Sequence, residues 1–509
     1  MAPSIRLRIG GSAAIAAVVA TLVLVLVAMR SLWEDVDRRA ASWTGADLPV
    51  AITLTTIAAI VAAFYAVRSV RLAAQSALVP PLGRATLVGD LVVLVFASAL
   101  LVVLVTSASE PVLVVELGYS WERGPGRLFA DRPAPRAPAD PGERFDDRIL
   151  FDGDGDPRYV TFRIPGVVVT PRGVVLAYCE AREGYGDWAD IDVVMQRSSD
   201  AGESWEARAM LAESDRGTVN NPVMIAENGS EKVHLLYNVD YARAWYRRSS
   251  DAGLHWSEPR EITAAFEELR PRHAWRVIAF GPGHGLELSN GRLLVPVWIS
   301  PGGGADGHHP QQVATVFSDD GGDTWHGGEL VTAPDGPSHG EPVAVELSDG
   351  RVLVNMRNED FRLGTALRAV STSPDGVSRW TQPELDRALP DPISFGSLHR
   401  IDSRTILFAN VHNALPIDWR VRWFGWRGRR EPIGVRASYD DGVTWPVARI
   451  LAPHEGGYVD LFARNGVAYA LYEQGWRRKN HYRTRSLRLA RFDLAWVEGA
   501  GRSGASRDR

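Results

Sequence analysis

From residue 148 onward, hydrophobic positions fall in short runs that are separated by turn residues. Six of these runs are Val233–Tyr237, Leu293–Ile299, Val343–Leu347, Val352–Met356, Ile406–Asn410 and Val467–Tyr472. Each run is continuous or alternates between apolar and polar positions, and none has the spacing of three and four residues that an amphipathic helix needs. The pattern therefore predicts an all-β soluble part.

A short motif, Ser-x-Asp-x-Gly-x-x-Trp, recurs through the same region. Its copies are Ser198–Trp205, Ser249–Trp256, Ser318–Trp325 and Ser438–Trp445, with a degenerate copy from Ser373 to Trp380. The aspartate can accept hydrogen bonds from the amides of its own turn, the glycine can adopt a left-handed conformation, and the tryptophan can pack on the sheet. A recurrence of this kind is typical of propellers, so we predict a six-bladed β-propeller in which at least one blade lacks the motif.

Three apolar segments precede this region, at Ile9–Met29, Leu48–Val67 and Leu87–Thr106. Each is long enough to cross a bilayer as a helix, and the first has no small-residue cleavage site after it. We therefore predict an N-terminal three-helix transmembrane region within residues 1–110. Residues 111–147 are rich in Pro and Gly and are typical of a linker. We predict that the propeller spans residues 148–497 and that residues 498–509 are a disordered tail.

The orientation of this anchor does not follow from its charges. Arginines flank the spans equally on the two sides of the membrane, so the positive-inside rule gives no preference. Three spans place the two ends of the chain on opposite sides, and the side of the propeller must be inferred from its function.

Composition excludes several classes of function. The formal net charge is −5, with both signs mixed along the soluble part, so we expect no nucleic-acid partner. Cys179 is the only cysteine, which excludes an intrachain disulfide, and its apolar surroundings favour a small buried side chain. The stretch Asp152–Asp156 suggests a calcium loop, but an EF-hand would need glycine where Pro157 stands and glutamate where Arg163 stands. We predict no metal and no cofactor.

A cation and a loop carboxylate stand close together in the segment that starts the propeller. Arg163 is followed by Ile-Pro, and the proline biases Ile164 toward an extended conformation, so Arg163 is expected near the start of a strand. The residues Pro171–Gly173 separate two β-rich runs and predict a hairpin. Asp187 lies in a glycine-flanked loop beside Trp188. A fixed guanidinium and a loop carboxylate suit an anionic substrate and acid–base chemistry.

The Arg-Ile-Pro motif and the repeated Asp-boxes together resemble the bacterial exo-α-sialidase (neuraminidase) family over roughly residues 148–497. Such enzymes clamp the carboxylate of sialic acid with three arginines, and by resemblance these are Arg163, Arg357 and Arg430. The third position stays open, because Arg427 or Arg429 could replace Arg430. Both lie in an insert of tryptophans and arginines that precedes the last Asp-box.

The resemblance also assigns the reacting groups. Tyr458 matches the nucleophile, Glu341 its base, and Asp187 the general acid/base. Val459 stands where the family usually has serine after the tyrosine. Glu346 is a rival of Glu341, but its place in a strand before a turn favours a surface role.

Three further residues near Asp187 carry alternatives. Asp190 and Asp192 compete with it for the acid role, although a capping role suits Asp192 better at the start of a strand. Arg182 resembles a supporting active-site arginine, and an ion pair with Glu183 or Asp187 is the alternative interpretation.

Glu473, after an apolar strand, is interpreted as structural.

The resemblance implies an exo-α-sialidase that hydrolyses terminal sialic acid α-ketosidic bonds with retention through a tyrosyl intermediate. Its partners would be sialylated glycoproteins, glycolipids or oligosaccharides, and the bilayer through the N-terminal helices. Such glycans lie outside the cell, so we expect a multi-pass cell-membrane protein with an extracytoplasmic propeller. We also expect a mildly acidic optimum, because Asp187 must be protonated while Glu341 is ionised.

Two alternatives belong to other classes of function. One is a glycosidase or transferase for a related nonulosonic or ulosonic acid, which the same arginine clamp would bind. The other is a non-catalytic Asp-box propeller that binds glycans. Such a module has no need of a tyrosine, a glutamate, an aspartate and three arginines together, and their joint presence argues against it.

Overall fold

The computed structural model describes residues 144–214, 217–302, 307–332, 336–359, 367–412, 430–477 and 480–499. The three predicted membrane spans, most of the predicted linker and tail, and residues 413–429 with Arg427 and Arg429 lie outside the described residues. In the part of the chain that the structure describes, no helix is both long and apolar enough to span a bilayer. All described residues belong to one compact unit, Pro125–Arg509.

The described residues form strands and two short helices. The strands are β1 (Phe145–Asp152), β2 (Thr161–Val169), β3 (Val175–Arg182), β4 (Ile191–Ser198), β5 (Ala209–Ala212), β6 (Val219–Ala226), β7 (Val233–Val239), β8 (Arg243–Ser249), β9 (Arg260–Glu261), β10 (Val277–Phe280), β11 (Leu286–Glu287), β12 (Leu293–Ser300), β13 (Gln312–Ser318), β14 (His326–Leu330), β15 (His339–Glu346), β16 (Val352–Asn358), β17 (Leu367–Ser373), β18 (Glu384–Pro390), β19 (Ser397–Arg400), β20 (Ile406–Val411), β21 (Ile433–Ser438), β22 (Val447–Ala452), β23 (Gly456–Arg464), β24 (Val467–Arg477) and β25 (Asn480–Asp493). The helices are α1 (Ala264–Glu267) and α2 (Leu494–Glu498).

The strands pair into six antiparallel sheets, which are the blades of a propeller. The first five blades are β2–β5, β6–β9, β10–β14, β15–β18 and β19–β22, each built from consecutive strands. The sixth blade contains β23, β24 and β25, with β1 at its outer edge. This arrangement confirms the predicted all-β, six-bladed propeller.

The sixth blade closes the ring with strands from the two ends of the described chain. β1 pairs with β25 in a register that runs from Phe145 opposite Phe492 to Asp152 opposite Ser486. No turn joins the third and fourth strands of this blade, because they come from opposite ends of the sequence. The sixth blade therefore has no place for an Asp-box.

The predicted hairpin between β2 and β3 is present, with Val169 opposite Val175 and a positive φ of 85° at Gly173. Every residue of β2 and of β3 is buried. A strand that is covered on both faces by neighbouring blades needs apolar side chains at consecutive positions, which explains the continuous hydrophobic runs in the sequence. Cys179 is fully buried within β3, as expected for a small apolar side chain.

The Asp-boxes are closed by local hydrogen bonds. Ser318 Oγ donates to Asp320 Oδ1 at 2.8 Å and accepts from the amide of Gly322 at 2.8 Å. Asp320 also accepts from the amide of Thr324 at 2.8 Å and from its hydroxyl at 2.6 Å. The same serine-to-aspartate bond recurs in the other four copies, at Ser198, Ser249, Ser373 and Ser438. Each copy follows the third strand of its blade, so all five lie on one face of the propeller.

The Asp-box carboxylates make stability depend on pH. The hydroxyl and then the amide of Thr324 lower the pKa of Asp320 to about 2. A carboxylate whose pKa is depressed by folding stabilises the protein above its unfolded pKa of about 4, and this contribution is lost as the pH falls toward 2. We expect Asp320→Asn to lower the melting temperature at pH 7 and to converge on wild type near pH 2. Thermal unfolding followed by circular dichroism measures both melting temperatures. A difference between the variant and wild type that does not change with pH would contradict the prediction.

The two helices were not expected from the sequence. α2 is capped by Asp493, whose Oδ1 accepts from the amide of Trp496 at 2.8 Å, and it ends at Gly499 with a φ of 64°. It buries Trp496 completely. α1 and α2 contain four and five residues, and segments that short carry no helical hydrophobic period.

Candidate active site

The predicted site residues converge at one end of the propeller axis. They are Arg163 in β2, Arg182 at the end of β3, Asp187 in the following loop, Glu341 in β15, Arg357 in β16, Arg430 before β21, and Tyr458 in β23. The starts of the innermost strands and the ends of the second strands share a face because the strands are antiparallel. The Asp-boxes lie on the opposite face.

The innermost strands are bulged where they carry site residues. The register of β2 shifts between Arg163 and Gly166, and Ile164 has a φ of 55°. β15 shifts beside Glu341, whose own φ is 40°. Positive φ values cost free energy at residues with side chains, and bulges of this kind turn side chains toward functional sites. The expectation that Pro165 keeps Ile164 extended is therefore wrong, because the tertiary fold overrides the local preference.

Tyr458, Glu341 and Arg357 form a directly bonded group. The Tyr458 hydroxyl donates to Glu341 Oε1, and Arg357 Nη1 lies 2.6 Å from Glu341 Oε2. Arg357 Nη1 also donates to the Tyr458 hydroxyl oxygen at 2.7 Å. The tyrosine therefore has a carboxylate placed to accept its proton and a cation placed to stabilise the oxygen left behind.

Burial dominates the protonation of this tyrosine. Removal from water raises the pKa of Tyr458 well above its usual value, against the lowering effect of Arg357. Arg163 and Arg430 flank the ring, with their guanidinium carbons 5.3 and 5.1 Å from its centroid. The hydroxyl therefore stays protonated in the free protein, and it could act as a nucleophile only if a base in the position of Glu341 removed the proton.

Arg163 is held by a residue that the sequence interpretation missed. Its Nε donates to Glu473 Oε1 at 3.0 Å, and both side chains are almost completely buried. The other oxygen of Glu473 accepts from the backbone amide of Tyr458 at 3.1 Å. Glu473 therefore belongs to the site as a support for both residues. Its position directly after the apolar run Val467–Tyr472 was the available signal.

Asp187 lies at the opening of the site, with 37% of its side chain exposed. Its Oδ1 is 2.8 Å from Arg182 Nη1 and 3.8 Å from Arg163 Nη1. Burial would raise the pKa of Asp187, but the charges of Arg182 and Arg163 outweigh it and lower the pKa well below its usual value. Arg182 is in turn held by the fully buried Glu180, at 2.8 Å from Nε and 2.5 Å from Nη2.

Asp192, Glu183 and Glu346 have partners other than the reacting groups. Asp192 accepts from the Tyr159 hydroxyl at 2.7 Å and pairs with Arg158 at 2.8 Å. Of the two ion-pair partners considered for Arg182, the structure pairs it with Asp187, whereas Glu183 pairs with Arg158. Glu346 lies at the far end of β15 and accepts from Ser289 on the Asp-box side of the propeller.

Aromatic side chains border the loop of Asp187. Trp188 is 56% exposed and lies 4.8 Å from Tyr241 and 5.6 Å from His308 between ring centroids. Tyr241 also packs against His308 at 4.6 Å and Trp298 at 6.1 Å. Such a surface offers apolar contact to a bound ligand.

The whole arrangement suits an anionic substrate. Arg163 and Arg430 flank the ring of Tyr458, Arg357 bonds its hydroxyl, and Asp187 supplies a second carboxylate, which is paired with Arg182. Within the described ranges, no group of histidine, cysteine, aspartate and glutamate side chains has the geometry to hold a metal ion. The chemistry available from these residues is anion binding, nucleophilic attack by an activated tyrosine, and proton transfer by a carboxylate.

The chain is similar in sequence to a β-propeller repeat family and to sialidases. Residues 177–475 match the BNR repeat-like domain. The chain is 30% identical over 412 residues to a sialidase of Micromonospora viridifaciens, with 74% of this chain and 57% of that protein covered. It is 27% identical to an exo-alpha-sialidase of Aspergillus fumigatus, with 66% of this chain and 85% of that protein covered.

A solved structure of a Hadza microbial sialidase, Hz136, superimposes with a TM-score of 0.55 at 22% identity, over 67% of this chain and 68% of that one. At this identity the likeness supports the fold. The chain spans 57% of the length of the Micromonospora sialidase that it matches. The resemblance to sialidases that the sequence motifs indicate is thus confirmed.

Proposed function

This chain belongs to the BNR repeat-like family, and from that premise we propose that it is an exo-α-sialidase. It would hydrolyse the terminal α-ketosidic bond of sialic acid in glycoproteins, glycolipids or oligosaccharides. The observation that carries the proposal is the hydrogen bond from Tyr458 to Glu341 inside a group of buried arginines.

The arginines account for the choice of an acidic sugar. A guanidinium fork matches a carboxylate in shape and keeps its charge at any physiological pH. Arg163, Arg357 and Arg430 would bind the carboxylate that sialic acid carries on its anomeric carbon. Glu473 and Ile393 hold two of these side chains in place, through contacts of 3.0 Å to Arg163 and 2.9 Å to Arg430.

A tyrosine nucleophile suits this substrate. Sialidases with a tyrosine nucleophile are a recognised exception to the two-carboxylate mechanism of glycosidases. An attacking carboxylate would approach the negatively charged carboxylate that is attached to the anomeric carbon, whereas a tyrosine hydroxyl is neutral until its base removes the proton. Here the base would be Glu341, which already accepts the Tyr458 hydrogen bond.

The proposed reaction has two steps. The Tyr458 oxygen attacks the anomeric carbon, Glu341 takes the hydroxyl proton, and Asp187 gives a proton to the departing oxygen as its bond breaks. Water then attacks the same carbon, Asp187 takes a proton from it, and Glu341 returns its proton to Tyr458. Two inversions at one carbon give net retention.

Asp187 must gain its proton in the complex. In the free protein Arg182 and Arg163 keep its pKa well below the usual value. A substrate carboxylate bound to Arg163 would offset part of this positive charge and displace water, and both effects raise the pKa of Asp187.

The pH profiles of kcat/KM and of kcat should therefore differ. Activity that needs a protonated acid falls as the pH rises through the pKa of that acid. Since kcat/KM reports the free enzyme and kcat the complex, the basic limb of kcat/KM should lie at lower pH than that of kcat. Steady-state kinetics on a sialoside across the pH range measures both. Basic limbs that coincide, or a kcat/KM that rises through neutral pH, would contradict the assignment.

We also propose that the propeller is held outside the cell by the predicted N-terminal spans. Val443 lies in an Asp-box turn and is 77% exposed, whereas Cys179 is fully buried. Val443→Cys in intact cells should react with a membrane-impermeant thiol reagent, while the wild-type chain should not. Labelling only after the cells are lysed would overturn the extracytoplasmic placement.

The enzymatic proposal is tested by time-resolved proton NMR of the purified full chain with a sialylated oligosaccharide. We expect free sialic acid to appear first as the α-anomer and then to mutarotate, as retention requires. A folded chain that releases no sialic acid would overturn the proposal, and a β-anomer that appears first would overturn the retaining mechanism.

A further inference from the structure

Three site arginines each form an ion pair with a carboxylate that takes no part in the proposed chemistry. The pairs are Arg163–Glu473, Arg182–Glu180 and Arg357–Glu359. Buried guanidinium groups need such partners, because an unpaired buried charge is costly. In the third pair the carboxylate is itself held by a histidine, which gives it an additional fixed contact.

Glu359 is anchored from several directions. It follows directly on β16 and is 8% exposed. One carboxylate oxygen pairs with Arg357 Nη2, and the other lies 2.7 Å from His309 Nδ1. Its backbone amide donates to the carbonyl of Ser338 at 3.0 Å. The carboxylate therefore has little freedom to follow a movement of Arg357.

Arg357 is consequently held between two carboxylates. Nη2 faces Glu359, while Nη1 contacts Glu341 at 2.6 Å and the Tyr458 hydroxyl at 2.7 Å. If Glu359 were absent, the guanidinium could rotate and take both oxygens of Glu341 in a bidentate pair. Glu341 would then lose its hydrogen bond to the Tyr458 hydroxyl, and the guanidinium would turn away from the substrate carboxylate.

We infer that Glu359, fixed by His309, is a positioning residue that keeps Arg357 aligned with Tyr458 and Glu341. The inference rests on the proposed function, since it concerns the same site. The carboxylate of Glu359 pairs with Arg357 and His309, and its proposed effect on the reaction is through the orientation of Arg357.

The test compares Glu359→Ala with Glu359→Gln in the full chain. Alanine removes both contacts, so we expect kcat/KM on a sialoside to fall by about 10- to 100-fold, with a higher KM and a lower kcat. Glutamine keeps a carbonyl oxygen that can accept from Arg357, so its kcat should stay within about threefold of wild type. The matched control is Glu346→Ala, which removes a glutamate from the same blade on the opposite face and should leave both constants unchanged.

Three results would overturn the inference. They are a Glu359→Ala enzyme with unchanged constants, equal losses in the alanine and glutamine variants, and a kcat/KM loss of the same size in Glu346→Ala. If Glu359→Ala does not fold, His309→Ala replaces it, since His309 is 26% exposed and its truncation should be tolerated. That variant should lower kcat/KM by at least about threefold, and unchanged kinetics would overturn the inference. A wild-type chain without turnover would instead overturn the proposed function, and the inference with it.

Discussion

Tyr458→Phe is expected to lower kcat on a sialoside by about a thousandfold or more, because the substitution removes the oxygen that we propose as the nucleophile. Phenylalanine keeps the ring that packs against Phe395 at 5.9 Å, so the fold should be retained. The hydroxyl hydrogen bond to Glu341 disappears, and Arg357 keeps its own contact with Glu341. Steady-state assays on a fluorogenic sialoside measure the loss.

Tyr472→Phe is the matched control for this substitution. Tyr472 lies in the same blade, is 1% exposed, and donates its hydroxyl to Asp147 at 3.0 Å outside the site. Its removal should cost about 0.5–1.5 kcal/mol of stability and leave kcat unchanged. A Tyr458→Phe enzyme within tenfold of wild type, or equal losses in the two variants, would contradict the role of Tyr458.

Asp187→Ala should lower kcat/KM by a factor that depends on the leaving group of the substrate. A sugar alkoxide needs a proton as it departs, so kcat/KM on a sialyl oligosaccharide should fall by about 10²- to 10⁴-fold. A phenol with a low pKa leaves without that help, so the loss on an activated aryl sialoside should be at least about tenfold smaller. Parallel assays on the two substrates measure the difference.

Asp192→Asn is the control for a general charge effect near the site. Asp192 is buried and bonded to Tyr159 and Arg158, away from the clamp. Its substitution should affect both substrates equally. The acid role of Asp187 would be contradicted if Asp187→Ala also lowered activity by the same factor on both substrates.

The repeat was the most predictable part of the fold. Every contact that closes an Asp-box joins residues within one short motif, such as Ser318, Asp320 and Thr324, so the motif carries its own geometry. The missing sixth copy follows from a contact that is not local. β1 and β25 come from opposite ends of the described chain, and no sequence motif in either segment indicates that they pair.

The candidate site shows the same division between local and distant contacts. Tyr458, Glu341 and Arg163 stand in motifs that resemble those of a known family. Glu473 stands 310 residues from Arg163 along the chain, and its partnership with that arginine is a product of the closed ring. Glu359 was missed for a similar reason, because its histidine belongs to the preceding blade.

The one incorrect local prediction has a tertiary cause. Ile164 precedes a proline, which favours an extended conformation, yet its φ is 55°. The bulge after Arg163 requires this value, and Glu473 accepts a hydrogen bond from the Ile164 amide at 3.4 Å. Strain of this kind persists where the surrounding structure stabilises it, and it often marks a functional position.

The central claim is that Tyr458 forms a covalent bond with an acidic sugar. The most direct measurement uses an activated sialosyl fluoride that carries a second fluorine next to the anomeric carbon, which slows breakdown of the intermediate. Peptide mass spectrometry of the treated full chain should find the added sugar on the peptide that contains Tyr458, and Tyr458→Phe should remain unlabelled. Label on a carboxylate such as Glu341 or Asp187, or an active enzyme that takes up no label, would contradict the account.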